Sequence, residues 1–209
     1  MNNNDDIVLI RAKLYERIKA RYRILKDNDS SLRQSKTLKV IITSLNSSVS
    51  QSSNKSKPSN SLIGIKRNLQ IYRLLEELDT SADWLFERTD IITYQNVRTI
   101  QTSEDWDTIF PILLQRLRES LLYIAQLDVE IVNDTEGKFE EFLAERFTVS
   151  SFTVQGWMKM DRRNYIGLHH VHQIAEQADV SIDWMLGLVD DPMAHKRHLL
   201  PDDYPTSLL

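Results

Sequence analysis

The chain has 209 residues, 41% of them hydrophobic, with five Gly, five Pro, no Cys and a formal net charge of −4. Lack of cysteine excludes a disulfide frame and a thiolate metal site, a usage that suits a reducing compartment. No apolar run reaches the roughly 20 residues of a membrane helix, and the start around Asp5 and Asp6 has no signal-peptide pattern, so a cytoplasmic protein without a membrane partner is expected.

Scarce Gly and Pro and scarce β-branched alternation predict an all-α protein. Residues 1–6 are polar and expected to fray. Ile10, Leu14, Ile18, Tyr22 and Leu25 lie on one helical stripe, which predicts a basic amphipathic helix from Ile7 to Lys26. A normal core face explains that stripe better than a membrane surface does. Leu38, Ile41, Ile42 and Leu45 predict a second helix, and Asn46 to Ser61, with Val49 as its one apolar residue, is too polar to hold itself rigid. Helix resumes near Ile65.

A short phrase then occurs twice, Asp79-Thr80-Ser81-Ala82-Asp83-Trp84-Leu85 and Asp179-Val180-Ser181-Ile182-Asp183-Trp184-Met185. Each copy follows a helical apolar face, Ile71/Leu74/Leu75/Leu78 and Val171/Ile174/Ala175/Ala178. The spacing of 100 residues is that of whole domains, not of solenoid units. Within the phrase Ser81 is placed to cap a new helix, Asp83 to add negative charge near its N-terminus, and Trp84 and Trp184 to anchor a core.

Between the copies, Thr89 to Ser103 is a connector whose Ile91, Ile92, Tyr94, Val97 and Ile100 predict packing between the repeats. A helix from Trp106, capped by Asp105 or Asp107 and with Pro111 in its first turn, carries Ile109, Leu113, Leu117, Ile124 and Leu127. Asp128 to Lys138 reads as loop, Phe139 to Arg146 as a short helix, Thr148 to Ser150 as a turn, and Ser151 to Met160 as another helix. Beyond Pro192 the tail is expected to be extended. The division expected is residues 1–90, a connector 91–103, residues 104–192 and a tail 193–209.

The short helix, polar turn and second helix, with Val154 and Trp157 facing inward at i, i+3, have helix-turn-helix spacing. Phe142-Leu143-Ala144-Glu145, Val149-Ser150, Val154, Trp157 and the run Ile174 to Gly187 resemble the lambda-repressor-like (Cro, or xenobiotic-response-element) helix-turn-helix family over roughly residues 109 to 190. The resemblance implies a five-helix domain whose second motif helix enters the DNA major groove. Ser151, Phe152, Thr153, Gln155 and Gly156 would then face the groove, and Lys159, Arg162, Arg163 and Asn164 would meet phosphates. Gly156 stands where the family usually has a longer polar side chain, and Phe152 offers only apolar contact, for example to a thymine methyl. The first repeat resembles the family more faintly and as a degenerate copy: Gln51 and Asn54 fall where Val154 and Trp157 would anchor it. Ser50, Gln51, Asn54, Lys55 and Lys57 then either order on DNA or lie in a solvated loop.

Charge is unevenly divided. Ile7 to Arg73 holds 15 Lys or Arg against three acids, a surplus of +12, whereas Ile91 to the end holds 10 against 19, a net of −9. The basic part suits phosphate and the acidic part suits a protein partner. His169/His172 and His195/His198 have metal-compatible spacing but no supporting Cys, so no metal or other cofactor is expected. No phosphate loop or catalytic triad argues for an enzyme. The expectation is two tandem helix-turn-helix domains in a repressor-type transcriptional regulator that binds double-stranded DNA, as a homodimer. The rival is a protein-interaction module working through the acidic second repeat.

Overall fold

The computed structural model describes residues 3–28, 40, 69–126, 138–159 and 166–199. Every regular element among them is helical. Helix α1, Asn3–Asn28, begins four residues before the sequence predicts. Its Leu14 and Ile18 are buried, with Tyr15 and Tyr22 packed against the same core. Helix α2, Gln70–Glu77, buries the expected Ile71, Leu74, Leu75 and Leu78. Asp79 then takes the left-handed conformation, φ 44°, and ends the helix. Short α3, Ala82–Leu85, is capped by Ser81, whose hydroxyl accepts the Trp84 amide at 3.1 Å.

Helix α4, Ser103–Gln126, departs from expectation at its start. Thr102 is the cap: its hydroxyl accepts the Asp105 amide at 3.1 Å, while the Asp105 carboxylate accepts the amides of Gln101 and Thr102. That is a reciprocal capping box, and it holds the Asp105 carboxyl below its ordinary range through those backbone amides. Because the helix starts earlier, Pro111 sits in its interior and not in its first turn, on an exposed side.

Next come α5, Lys138–Phe147, α6, Ser151–Lys159, α7, Leu168–Gln177, and α8, Ile182–Met185. A 3₁₀ helix, Ala194–Leu199, follows where an extended tail was expected. Burial of Ala194 and His195 explains why this first part of the tail is held. The second predicted helix around Leu38 to Leu45, apart from residue 40, and the tail beyond residue 199 lie outside the described residues.

The repeat extends beyond the phrase into the backbone. Ser81 N–H donates to the Ile92 carbonyl at 2.6 Å and Ser181 N–H to that of Pro192 at 2.7 Å. Arg88 N–H bonds Asp83 O and Leu188 N–H bonds Asp183 O, each at 2.9 Å. The long helices correspond too, at an offset of 99. Leu14, Arg17 and Ile18 of α1 match Leu113, Arg116 and Leu117 of α4. In both copies the arginine lies over the tryptophan ring, 4.0 Å for Arg17 on Trp84 and 4.9 Å for Arg116 on Trp184. Buried residues from both copies form a single contiguous core.

The two copies grip each other through their aspartates. Asp83 lies in the first turn of α3, and its carboxylate accepts the Ile182 amide at 2.9 Å and the Ser181 hydroxyl at 2.5 Å, both at the start of α8. Asp183 in return accepts the amides of Ala82 at 2.9 Å and Asp83 at 2.8 Å, at the start of α3. Each carboxylate thus satisfies orphan amides of the other copy, an isologous contact within one chain. Arg88 lies 3.7 Å from Asp83 and donates to the carbonyls of Val180 and Ala175. Burial, then the neighbouring Asp83 charge, pushes the Asp183 carboxyl well above its ordinary range.

The connector packs against this joint. Arg98 N–H bonds Leu188 O at 2.9 Å, its guanidinium reaches Gly187 O and Asp190, Tyr94 donates to Asp83 at 3.1 Å, and Ile100 is buried.

Candidate nucleic-acid interface

Helices α5 and α6 pack on each other and on α4. Leu143, Ala144 and Phe147 form the buried side of α5. Thr148, at φ 52°, stops that helix, with its amide on Glu145 O and the Val149 amide on Ala144 O. This paired closure makes a tight turn without glycine. Ser150 caps α6, accepting the Thr153 amide at 3.1 Å and meeting the Thr153 hydroxyl at 2.8 Å. A serine three residues before a threonine, ahead of an apolar pair, is the signal that identifies this cap in the sequence.

Val154 and Trp157 are 0% and 3% exposed, and the Trp157 ring meets Phe147 edge-on at 5.9 Å. They fix one side of α6 in the core. Phe152, Gln155, Gly156 and Lys159 follow i, i+3, i+4, i+7 and share the other side. Phe152 is 77% exposed, Ser151, Gln155 and Lys159 are exposed, and Gly156 is half-buried. Thr153 is half-buried, and its amide and hydroxyl belong to the cap. Of the residues expected to face a groove, Ser151, Phe152 and Gln155 therefore carry free side chains at the surface, whereas Thr153 is turned back to the turn.

Arg162, Arg163 and Asn164 lie outside the described residues, as do Ser50, Gln51, Asn54, Lys55 and Lys57. One contributor was missed in the sequence: Arg118 of α4 donates to Met158 O at 2.6 Å and closes the end of α6. A lone arginine on a long helix gives no sequence signal for such a contact. The surroundings are mixed in charge. Glu141 and Glu145 are exposed on α5, and Arg146 is drawn aside to Gln177 with its guanidinium 5.8 Å from the Phe142 ring.

His169 and His195 are buried, His172 stacks on Phe86 at 4.7 Å, and burial holds the imidazoles of His172 and His195 below their ordinary range. Among the described residues no group of three or more His, Cys, Asp or Glu is placed to hold a metal ion, and no helix is long and apolar enough to cross a membrane. A cavity of about 320 Å³ between the connector and the two copies is lined by Tyr72, Tyr94, Glu76, Arg98 and Asp183, among others. Tyr72 there donates to Leu186 O and Tyr94 to Asp83. Comparison of the chain with protein-family models, with curated proteins and with solved structures finds no match.

Proposed function

We propose that the chain is a cytoplasmic, sequence-specific DNA-binding regulator of transcription, of the repressor type that occludes a promoter. The observation that carries this reading is the two-sided build of α6. Val154 and Trp157 pin one flank while Phe152, Gln155 and Lys159 stand free on the other, as a helix needs in order to enter a major groove. Gln155 can pair with both adenine edge positions, Lys159 meets phosphate, and Phe152 supplies an apolar contact. In this reading the basic first repeat adds sequence-independent attraction and the second repeat adds the reading helix. The reciprocal Asp83–Asp183 contact already joins two copies within one chain, so a homodimer of such chains would associate through another face and present two reading helices.

The test is duplex binding by the full chain across a salt series. Affinity should fall steeply with salt, because each neutralised phosphate releases counterions. Lys159→Glu and the pair Arg162→Glu with Arg163→Glu should each weaken binding by tenfold or more. Salt-independent binding, or affinity unmoved by all three charge reversals, refutes the reading. A second reading, a protein-interaction module in the acidic repeat, draws on the exposed Glu141 and Glu145 of α5. It predicts duplex binding that is weak or confined to the first repeat, and loss of a basic protein partner on reversal of those two acids.

A further inference from the structure

We infer that Phe152 reads the 5-methyl group of a pyrimidine in the major groove, so that the DNA bound by this chain carries a thymine at one fixed position and accepts 5-methylcytosine there in its place. This rests on the reading of α6 as the DNA-facing helix and goes beyond it by naming the chemical group recognised.

The inference follows from which side chains α6 leaves available. Hydroxyl readout is reduced because Ser150 and Thr153 bond each other and the start of their own helix. The outward stripe then offers one amide, Gln155, one cation, Lys159, and one aromatic ring. Phe152 is the most exposed large apolar side chain among the described residues. Its neighbour one turn on is Gly156, so no side chain shields the ring from that direction and the backbone there can lie close to a base edge. A ring without donor or acceptor gains nothing from the nitrogen and oxygen edges of the groove. The pyrimidine methyl is the one apolar group displayed there, and it distinguishes a T·A pair from the other three. Gln155 lies on the same stripe three residues later and is suited to adenine, so the two side chains together favour a site rich in A·T pairs.

The test starts with selection of duplexes from a random pool by the full chain, followed by replacement of each thymine in the enriched duplex, one at a time, by deoxyuridine. That exchange removes a methyl and leaves pairing intact. One position should lose roughly three- to tenfold in affinity, the effect of a single buried methyl. Placing cytosine opposite guanine at that position should weaken binding, and 5-methylcytosine should restore much of the loss. Phe152→Ala should abolish the thymine-to-uracil difference and Phe152→Leu should keep part of it; both should fold, since the side chain is mostly solvent-exposed. Equal binding of every uracil duplex, or an undiminished difference in Phe152→Ala, overturns the inference while leaving DNA binding intact. A pool from which nothing is enriched overturns DNA reading itself, and this inference with it.

Discussion

The two copies of the closing phrase share a backbone and differ in what surrounds them. Residues 181–189 are all buried, whereas Trp84 and Phe86 are half-buried and Glu87 is exposed. The second copy is covered by α4, by the connector through Arg98 and by the 3₁₀ helix, whereas the first, beyond its contacts with α8 and the connector, meets α1 and solvent. Local sequence therefore makes the turn, and neighbouring elements decide how much that turn is worth. The same division holds at the aspartates. Asp83 accepts three donors and has Arg88 nearby, while Asp183 accepts two amides, because Ser81 turns its hydroxyl to Ile91 O where Ser181 turns to Asp83.

Removing these carboxylates gives the largest expected effect and tests whether the copies are equivalent. Asp83→Ala strands the Ile182 amide, two hydroxyls and the buried charge of Arg88, and should cost about 3–5 kcal/mol. Asp183→Ala strands two amides but also removes the acid that burial beside Asp83 disfavours in its charged form, and should cost about 2–3 kcal/mol. Denaturant unfolding of both variants decides the matter. Equal losses would mean that the asymmetry of donors carries no energy.

A second pair of changes sharpens the contrast at one position. Glu87 and Gly187 occupy the same place, with φ 61° and 78°. A Cβ added at Gly187 would lie 2.5 Å from Cγ1 of Ile109, so Gly187→Ala combines left-handed strain with overpacking and should cost about 2–4 kcal/mol. Glu87 bears the same strain in the open, beside Lys13 at 3.0 Å and Arg17 at 3.8 Å. Glu87→Gly relieves strain and loses exposed ion pairs worth at most about 1 kcal/mol, so it should be close to neutral. Thermal unfolding that ranks the two substitutions the other way would show that burial around Ile109 is not what sets the penalty.

What the sequence made legible follows the reach of its patterns. The helix faces at Leu74, Leu78, Ile174 and Ala178, the cap at Ser81, and the anchors Val154 and Trp157 rest on spacings of three or four residues, and each lies where its spacing places it. Asp83 stands in the first turn of α3, where its position in the phrase puts it, but nothing within one turn of it reveals an acceptor duty 99 residues away. The kinship of α1 and α4 stayed hidden for a different reason. It rests on Leu14 with Leu113, Ile18 with Leu117 and Arg17 with Arg116, matched in size and role, with Asp6/Asp105 and Ile10/Ile109 also identical, across helices most of whose other residues differ. Pro111 and the cap at Thr102 were misplaced because a capping box of Thr and Asp offers two plausible starts a few residues apart.

The smallest expected effect is a pH dependence that separates the buried joint from the surface ion pairs. The folded chain raises the Asp183 carboxyl above its unfolded value, through burial first and Asp83 second. Above the ordinary carboxyl value of 3.8 the folded state therefore holds a proton that the unfolded chain has released. Stability from this group is present below that value and is lost as pH rises through the folded pKa. The advantage of the native protein over Asp183→Asn should then shrink between pH 4.5 and pH 7.5. Asp190 supplies the opposite sign: bonding to Arg98 and then to Arg116 lowers its carboxyl. The advantage of the native protein over Asp190→Asn should be present above the ordinary value and fade only as pH falls below it. Measuring both differences by denaturant titration cancels the carboxylates common to each pair of proteins. A gap for Asp183→Asn that widens with pH would mean that the joint holds Asp183 ionised, and that Arg88 and the α3 amides, not burial, govern its charge.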